Sequence, residues 1–256
     1  MPTFYDHKFT SPTKPKRWIY VQTDDERAAA THLLAVLRKH WTPPKYFYHL
    51  RKGGHLSALQ QHAHDIFFAV LDIEGFFGSI TKNKIARALK NIGFAWQDAV
   101  TVAHRSCVQE GTKRILPFGY VQSPMLASIV LNKSALGSAL EAVKKQGLNV
   151  SVFMDDIILS HPDNSDLVGD ALTTLNEAAD ISHFHFSAEK SQAVAEKVHA
   201  FNIILSSESL EISPNRFEKF AQTVLQAGDG ATRAGILGYV AQVNTAQYDQ
   251  LAQLTH

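Results

Sequence analysis

At 256 residues, 45% of them apolar, the chain can bury one sizeable core, and its single cysteine, Cys107, excludes an internal disulfide and a thiolate-based zinc site. No apolar run is long enough to span a bilayer and no secretory leader is evident, so the expectation is a reducing cytoplasm with no membrane partner. The net charge of +1 is spread unevenly: residues 1–52 carry ten Lys and Arg against four Asp and Glu, whereas residues 53–256 carry fifteen against twenty.

In chain order, the first twenty residues, with Pro2, Pro12 and Pro15, read as extended or poorly ordered. Thr23-Asp24-Asp25-Glu26 is a capping box that opens a helix to about His40, and Pro43-Pro44 stops it. Residues 46–50 read as a short strand and 56–64 as a helix. His62 and His64 lie two apart without companions, which disfavours a metal role. The run Asp65-Ile66-Phe67-Phe68-Ala69-Val70-Leu71-Asp72 is a buried strand ending on a carboxylate. Helices follow at about 81–91 and 96–108. Ser123-Pro124 reads as an N-cap and first helical residue, opening a helix to about Gln146. The apolar runs 150–154 and 157–159 form a hairpin with Asp155-Asp156 at its tip, then a helix at 163–181 and two or three strands between 184 and 212. Three helices close the chain, from Ser213-Pro214, at 231–242 and at 246–254.

The adjacent carboxylates carry the chemistry. Two like charges side by side are costly unless solvated in a surface turn or covered by a cation. A strand delivering Asp72 and a hairpin presenting Asp155 and Asp156 would place three hard oxygen donors around a pair of divalent ions. Mg²⁺ suits such donors, and two such ions clamp the attacking and leaving oxygens of phosphoryl transfer. Between these segments, Gly119 permits close backbone approach by a ligand.

Three motifs, in order, carry a family resemblance: Asp72-x-x-x-Phe76-Phe77, Leu116-Pro117-x-Gly119-x-x-x-Ser123-Pro124 and Phe153-x-Asp155-Asp156. They resemble palm motifs A, B and C of reverse transcriptases. Residues 186–191, bearing Lys190, resemble motif D, and 199–205 resemble motif E, so the likeness covers about 46–212. It is most like the bacterial defence-associated, or unknown-group, enzymes, with retron enzymes as neighbours. The chain departs from the pattern at Phe118, where many relatives carry Gln, and at Phe153-Met154 in place of Tyr and a small residue; a retron-type Val-Thr-Gly is missing.

The resemblance implies an α+β fold, a right-hand polymerase palm whose antiparallel sheet has a split βαβ core, with short fingers and a small helical thumb. The expected limits are 1–64 for the amino-terminal segment and reduced fingers, 65–212 for the palm and 213–256 for the thumb. It implies an RNA-directed DNA polymerase in anti-phage defence, using two Mg²⁺ ions for which Mn²⁺ can substitute. Its partners would be an RNA template (a dedicated structured non-coding RNA is one form), dNTPs and the DNA product, with a partner protein or homo-oligomer supplying further grip. Asp72 and Asp155 would bridge the metals, with Asp156 less direct and the Ile73 carbonyl completing a site. Phe77 would be the ring that excludes a ribose 2′-hydroxyl, or else core packing. Phe118, Gly119, Gln122 and Ser123 would lie about the base and template, with core filling the other reading of Phe118. Lys190 would serve the leaving pyrophosphate or be an ordinary surface lysine. Arg51 and Lys52, before Gly53-Gly54, are phosphate contacts by position. The rival readings are template-independent or protein-primed DNA synthesis, a non-catalytic RNA-binding module and, more distantly, a nucleotide cyclase.

Overall fold

Residues 18–22, Trp-Ile-Tyr-Val-Gln, alternate about a buried face, and this lets the amino-terminal segment pair rather than trail. The computed structural model, which describes residues 4–12, 17–226 and 230–254, begins with the antiparallel hairpin β1 (Tyr5–Thr10) and β2 (Trp18–Gln22). Of the two readings of this segment, extended or poorly ordered, the extended one holds over these strands, and their pairing was not foreseen; Pro2 and Pro15 lie outside the described residues. Helix α1 (Asp24–His40) opens where the Thr23 hydroxyl accepts from the Glu26 N–H at 3.3 Å, as the capping box requires. The expected strand at 46–50 is instead one bridge, Phe47 to Val152, followed by a 3₁₀ turn at Tyr48–Leu50.

Helix α2 (Gly54–Gln60) leads to β3 (Phe67–Asp72), the short α3 (Phe76–Ser79), α4 (Lys82–Asn91) and α5 (Trp96–Arg105). A small hairpin, β4 (Val108–Glu110) and β5 (Lys113–Ile115), precedes α6 (Ser123–Asn132) and α7 (Ala135–Lys145). The single helix expected over 123–146 is therefore two, bent by 67°. Ser134 caps the second by accepting from the Gly137 N–H at 3.2 Å, and a Cβ on Gly137 would stand 2.3 Å from the Leu131 carbonyl oxygen. Then come β6 (Asn149–Phe153), β7 (Asp156–His161) and α8 (Ser165–Ile181). Four strands rather than two or three follow, β8 (Gln192–Ala195), β9 (Lys197–Ala200), β10 (Ile203–Ser206) and β11 (Ser209–Ile212). Three helices end the described chain, α9 (Pro214–Gln226), α10 (Gly230–Val243) and α11 (Thr245–Gln253). Among the described residues, no helix is long and apolar enough to cross a membrane.

The main sheet is antiparallel with order β6-β7-β3-β8. Each crossover skips a place that another strand fills: β7 lies between β3 and β6, and β3 between β7 and β8. This is the split βαβ arrangement. Alternation along β3 and β7 serves two cores. Ala69, Leu71, Ile157 and Leu159 join the larger one, with residues of α4 to α8, while Phe68, Val70 and Ile158 join a second one with Leu59, Val198, Ile203 and Leu205. Sheet β9–β11 carries the chain to a third small core, in which Ile212 meets Phe220, Val224, Val240 and Leu251. Burial on both faces locks the register of β3 against β7, since a one-residue slip would turn every one of these side chains around.

Candidate active site

That register fixes the carboxylates. Asp72, the last residue of β3, lies directly across from Asp156, the first of β7. The β6–β7 turn is the two residues Met154 and Asp155, and Met154 takes φ 61, a left-handed conformation unfavourable for a non-glycine residue. The Ile73 N–H donates to the Asp155 carbonyl at 2.9 Å, tying the turn to the end of β3. All three acids thus gather at one end of the central strand pair.

Residues 186–191 are fastened to the same place. The Ser187 N–H donates to the Asp72 carbonyl at 2.8 Å, and the Asp72 N–H donates to the Ser191 hydroxyl at 3.2 Å. Between these anchors Lys190 places its Nζ 3.0 and 3.1 Å from the two carboxylate oxygens of buried Asp72. The Asp72 hydrogen bond raises the Lys190 pKa and keeps it an ammonium. Burial, then the Asp72 charge, pushes the Asp155 carboxyl above its ordinary range, with Lys190 and Arg17 pulling the other way.

Among the described residues, no group of three or more His, Cys, Asp or Glu side chains is placed so that it could hold a metal ion. The donor chemistry nonetheless fits a divalent cation. Asp72 and Asp155 are hard oxygen donors close enough to repel, and the ammonium of Lys190 already answers that demand for positive charge.

A cleft of about 580 Å³ opens beside these acids, lined by Asp155, Lys190, Ile73, Phe76 and Phe118 and by Arg17, Trp18 and Tyr20 of the amino-terminal segment. The Arg17 guanidinium lies 4.1 Å from the centre of the Phe118 ring, and Phe118 in turn lies 4.6 Å, centre to centre, from Phe77. Phe77 is buried and does not line the cleft, whereas its neighbours Phe76 and Phe118 do.

Other expected contacts lie elsewhere. Gly119 has φ +99 and a Cβ on it would stand 2.3 Å from the Tyr20 carbonyl oxygen, so its closeness serves β2 rather than a ligand. The Gln122 side chain is buried and donates to the Ser106 hydroxyl at 3.2 Å, in a separate cavity beside α1 and α5. Ser123 donates its hydroxyl to the Pro117 carbonyl at 2.8 Å and shapes the turn from within. The Arg51 guanidinium donates to the Lys45 carbonyl and lies over Tyr48, while Lys52 is exposed; neither lines the cleft. His62 is fully buried between the hydroxyls of Ser160 and Ser151, and His64 pairs with exposed Glu208 at 2.7 Å. Sequence reading overlooked Arg17, Trp18, Tyr20 and His49; the alternation at 18–22 was the available signal for the first group.

The family described as reverse transcriptase (RNA-dependent DNA polymerase) matches residues 8–239. Among solved structures, telomerase from Candida albicans, in complex with a fragment of telomeric RNA, superimposes with a TM-score of 0.52 at 9% identity, covering 89% of this chain and 46% of that one. A foamy viral protease–reverse transcriptase in complex with double-stranded DNA gives 0.55 at 14% identity, covering 97% and 43%. At such identities the likeness is one of fold, and the chain spans less than half the length of either relative.

Proposed function

The chain belongs to the reverse transcriptase (RNA-dependent DNA polymerase) family, and from that premise we propose that it is an RNA-directed DNA polymerase acting by metal-assisted nucleotidyl transfer. The observation that carries this reading is the cross-strand pairing of Asp72 with Asp156 beside Asp155, which itself lines a cleft together with Lys190 and Arg17. On this reading the four-stranded sheet and its helices, 65–212, are the palm, 1–64 reduced fingers and 213–256 a small thumb.

Asp72, Asp155, Asp156 and the Ile73 carbonyl would hold two Mg²⁺ ions, or Mn²⁺ in their place, which when bound supply charge for a primer 3′-hydroxyl to lose its proton and for pyrophosphate to leave. Lys190, an ammonium at neutral pH, offers hydrogen bonds and charge to the departing phosphates. Arg17, 4.1 Å from the centre of the Phe118 ring, would offer its guanidinium donors to the triphosphate. The Phe118 ring over Phe77 presents an apolar face to the sugar, which favours a deoxynucleotide because a ribose 2′-hydroxyl finds no partner there. Template RNA, including a dedicated structured one, a cytoplasmic setting and a role in anti-phage defence complete the proposal and rest on the motif likeness.

The test is nucleotide incorporation on a primed RNA by wild type and by Asp155→Ala/Asp156→Ala, with dNTPs or rNTPs. Wild type is expected to incorporate dNTPs in Mg²⁺ or Mn²⁺ and to stop with chelator, and the double variant to lose at least about 10³-fold. Undiminished incorporation by the double variant would remove the acids from the chemistry. RNA binding with no incorporation from any nucleotide would favour a binding module.

A further inference from the structure

Met154 and Asp155 form a turn that resists its own geometry, since a methionine at φ 61 persists only where its surroundings over-determine it. The group that meets this residue comes from outside the hairpin. The Met154 N–H donates to Nδ1 of His49 at 3.0 Å, and Nε2 of His49 lies 2.6 Å from the Ser128 hydroxyl. The Ser128 hydroxyl spends its proton on the Pro124 carbonyl at 2.8 Å, so its oxygen accepts from His49. The tautomer follows: Nε2 carries the proton and Nδ1 the lone pair that faces Met154. Burial holds the His49 pKa down to about 4, which keeps that lone pair available at neutral pH.

The ring is steered into place by the bridge between Phe47 and Val152 and by the Val152 N–H, which donates to the Tyr46 carbonyl at 2.8 Å. Phe47 and Phe153 flank it at 5.8 and 5.9 Å between ring centres. At its far end α6 begins at Ser123, whose hydroxyl grips the Pro117 carbonyl of the cleft wall. A single imidazole therefore spans from the acidic turn to the helix whose first residue secures that wall.

We infer that His49 is a positioning residue for nucleotidyl transfer, fixing the strained Met154–Asp155 turn so that the Asp155 carboxylate keeps a constant place relative to Asp72 and to the cleft. The inference rests on the polymerase reading for its kinetic consequence, but the strut itself is a property of the fold. His49 touches no reacting atom; its effect passes through the turn. The 3₁₀ turn at Tyr48–Leu50 follows directly on the Phe47 bridge and carries residue 49 to the end of β6, where it meets Met154.

The experiment separates the two claims. Internal methionine amides exist only at Met125 and Met154, so ¹⁵N-methionine labelling, with Met125→Leu to assign the pair, isolates the Met154 signal. His49→Phe keeps a ring between Phe47 and Phe153 but has no acceptor, whereas His49→Asn returns an oxygen to the Nδ1 position. Hydrogen exchange at Met154 is expected to quicken at least about 10-fold in His49→Phe and to slow again in His49→Asn. On primed RNA, kcat is expected to fall on the order of 10- to 100-fold in His49→Phe, with the dNTP KM within about twofold, and to recover most of that in His49→Asn. Unchanged Met154 exchange in His49→Phe overturns the inference. So does a loss of kcat that tracks a loss of Tm and is not recovered by asparagine. A wild type that makes no DNA would refute the polymerase reading alone, and the amide exchange would still decide the strut.

Discussion

Asp155 sits where ionisation is opposed twice, by burial and then by the Asp72 charge. A carboxyl raised in the folded state above its unfolded value of 3.8 favours the fold while protonated, so the folded state is penalised once pH climbs past that pKa. Asp155→Asn should therefore stabilise the metal-free protein at pH 7, raising Tm by about 2–4 °C, the shift that ~1 kcal/mol produces at this chain length. The gain should shrink as pH falls through the raised Asp155 pKa and be gone below the ordinary carboxylate value, where wild type is protonated folded and unfolded alike, and Mg²⁺ should narrow it by stabilising only wild type. Thermal melts of both proteins across pH and Mg²⁺ check the sign; a variant less stable at pH 7 would mean that Asp155 is a structural anchor. Lys190 follows from the same electrostatics. Its raised pKa makes it a poor proton donor at neutral pH while it rests on Asp72, so its chemistry is that of a fixed positive charge. His62, two residues from His64, was not read as a metal ligand, and the fold gives it another use: burial lowers its pKa to about 3 and both ring nitrogens face serine hydroxyls, the signature of a satisfied core histidine.

Elements differ in how far the sequence betrays them. Strands β3, β6 and β7 were legible because each is a short apolar run ending on or beside an acid, and burial of both sheet faces leaves no other register. The β1–β2 hairpin was not, because its first strand is almost wholly exposed and buries no apolar face that would mark it. The break between α6 and α7 was equally hidden: Lys133 and Ser134 are tolerable in any helix, and only the close pass of Gly137 by the Leu131 carbonyl reveals a corner. Gly119 was read as making room for a ligand when it makes room for Tyr20. A comparison with Gly147 isolates that closeness, since both have positive φ, +99 and +103, yet nothing lies within 4 Å of a Cβ on Gly147. Gly147→Ala should cost about 1 kcal/mol from the backbone alone. Gly119→Ala should cost about 2–4 kcal/mol, adding the clash, and should raise the nucleotide KM by loosening Arg17 and Trp18. Denaturant melts and KM measurements on both variants check this, and equal costs would show that the hairpin yields to a methyl group.

At the scale of the molecule, the split βαβ sheet places its acids at one end, and residues of the basic amino-terminal segment line the cleft beside them. The charge asymmetry visible in composition thus has a spatial counterpart: Arg17, from the basic fifth of the chain, meets Asp155 and Lys190 from the rest across one opening. The three acids could be named from motifs alone, but their closeness depends on the pairing of Asp72 with Asp156 and on a strained turn held from residue 49, neither of which a linear motif expresses. One part of the cleft, lined by Arg17, Trp18 and Tyr20, comes from a segment with no motif at all. The most direct measurement is to extend a DNA primer on a defined heteropolymeric RNA and to sequence the product, with matched reactions lacking RNA. The account predicts a DNA strand complementary to that RNA, absent without it and absent with Asp155→Ala/Asp156→Ala. DNA made equally well without RNA, or in a sequence that ignores it, would contradict templated synthesis at this site.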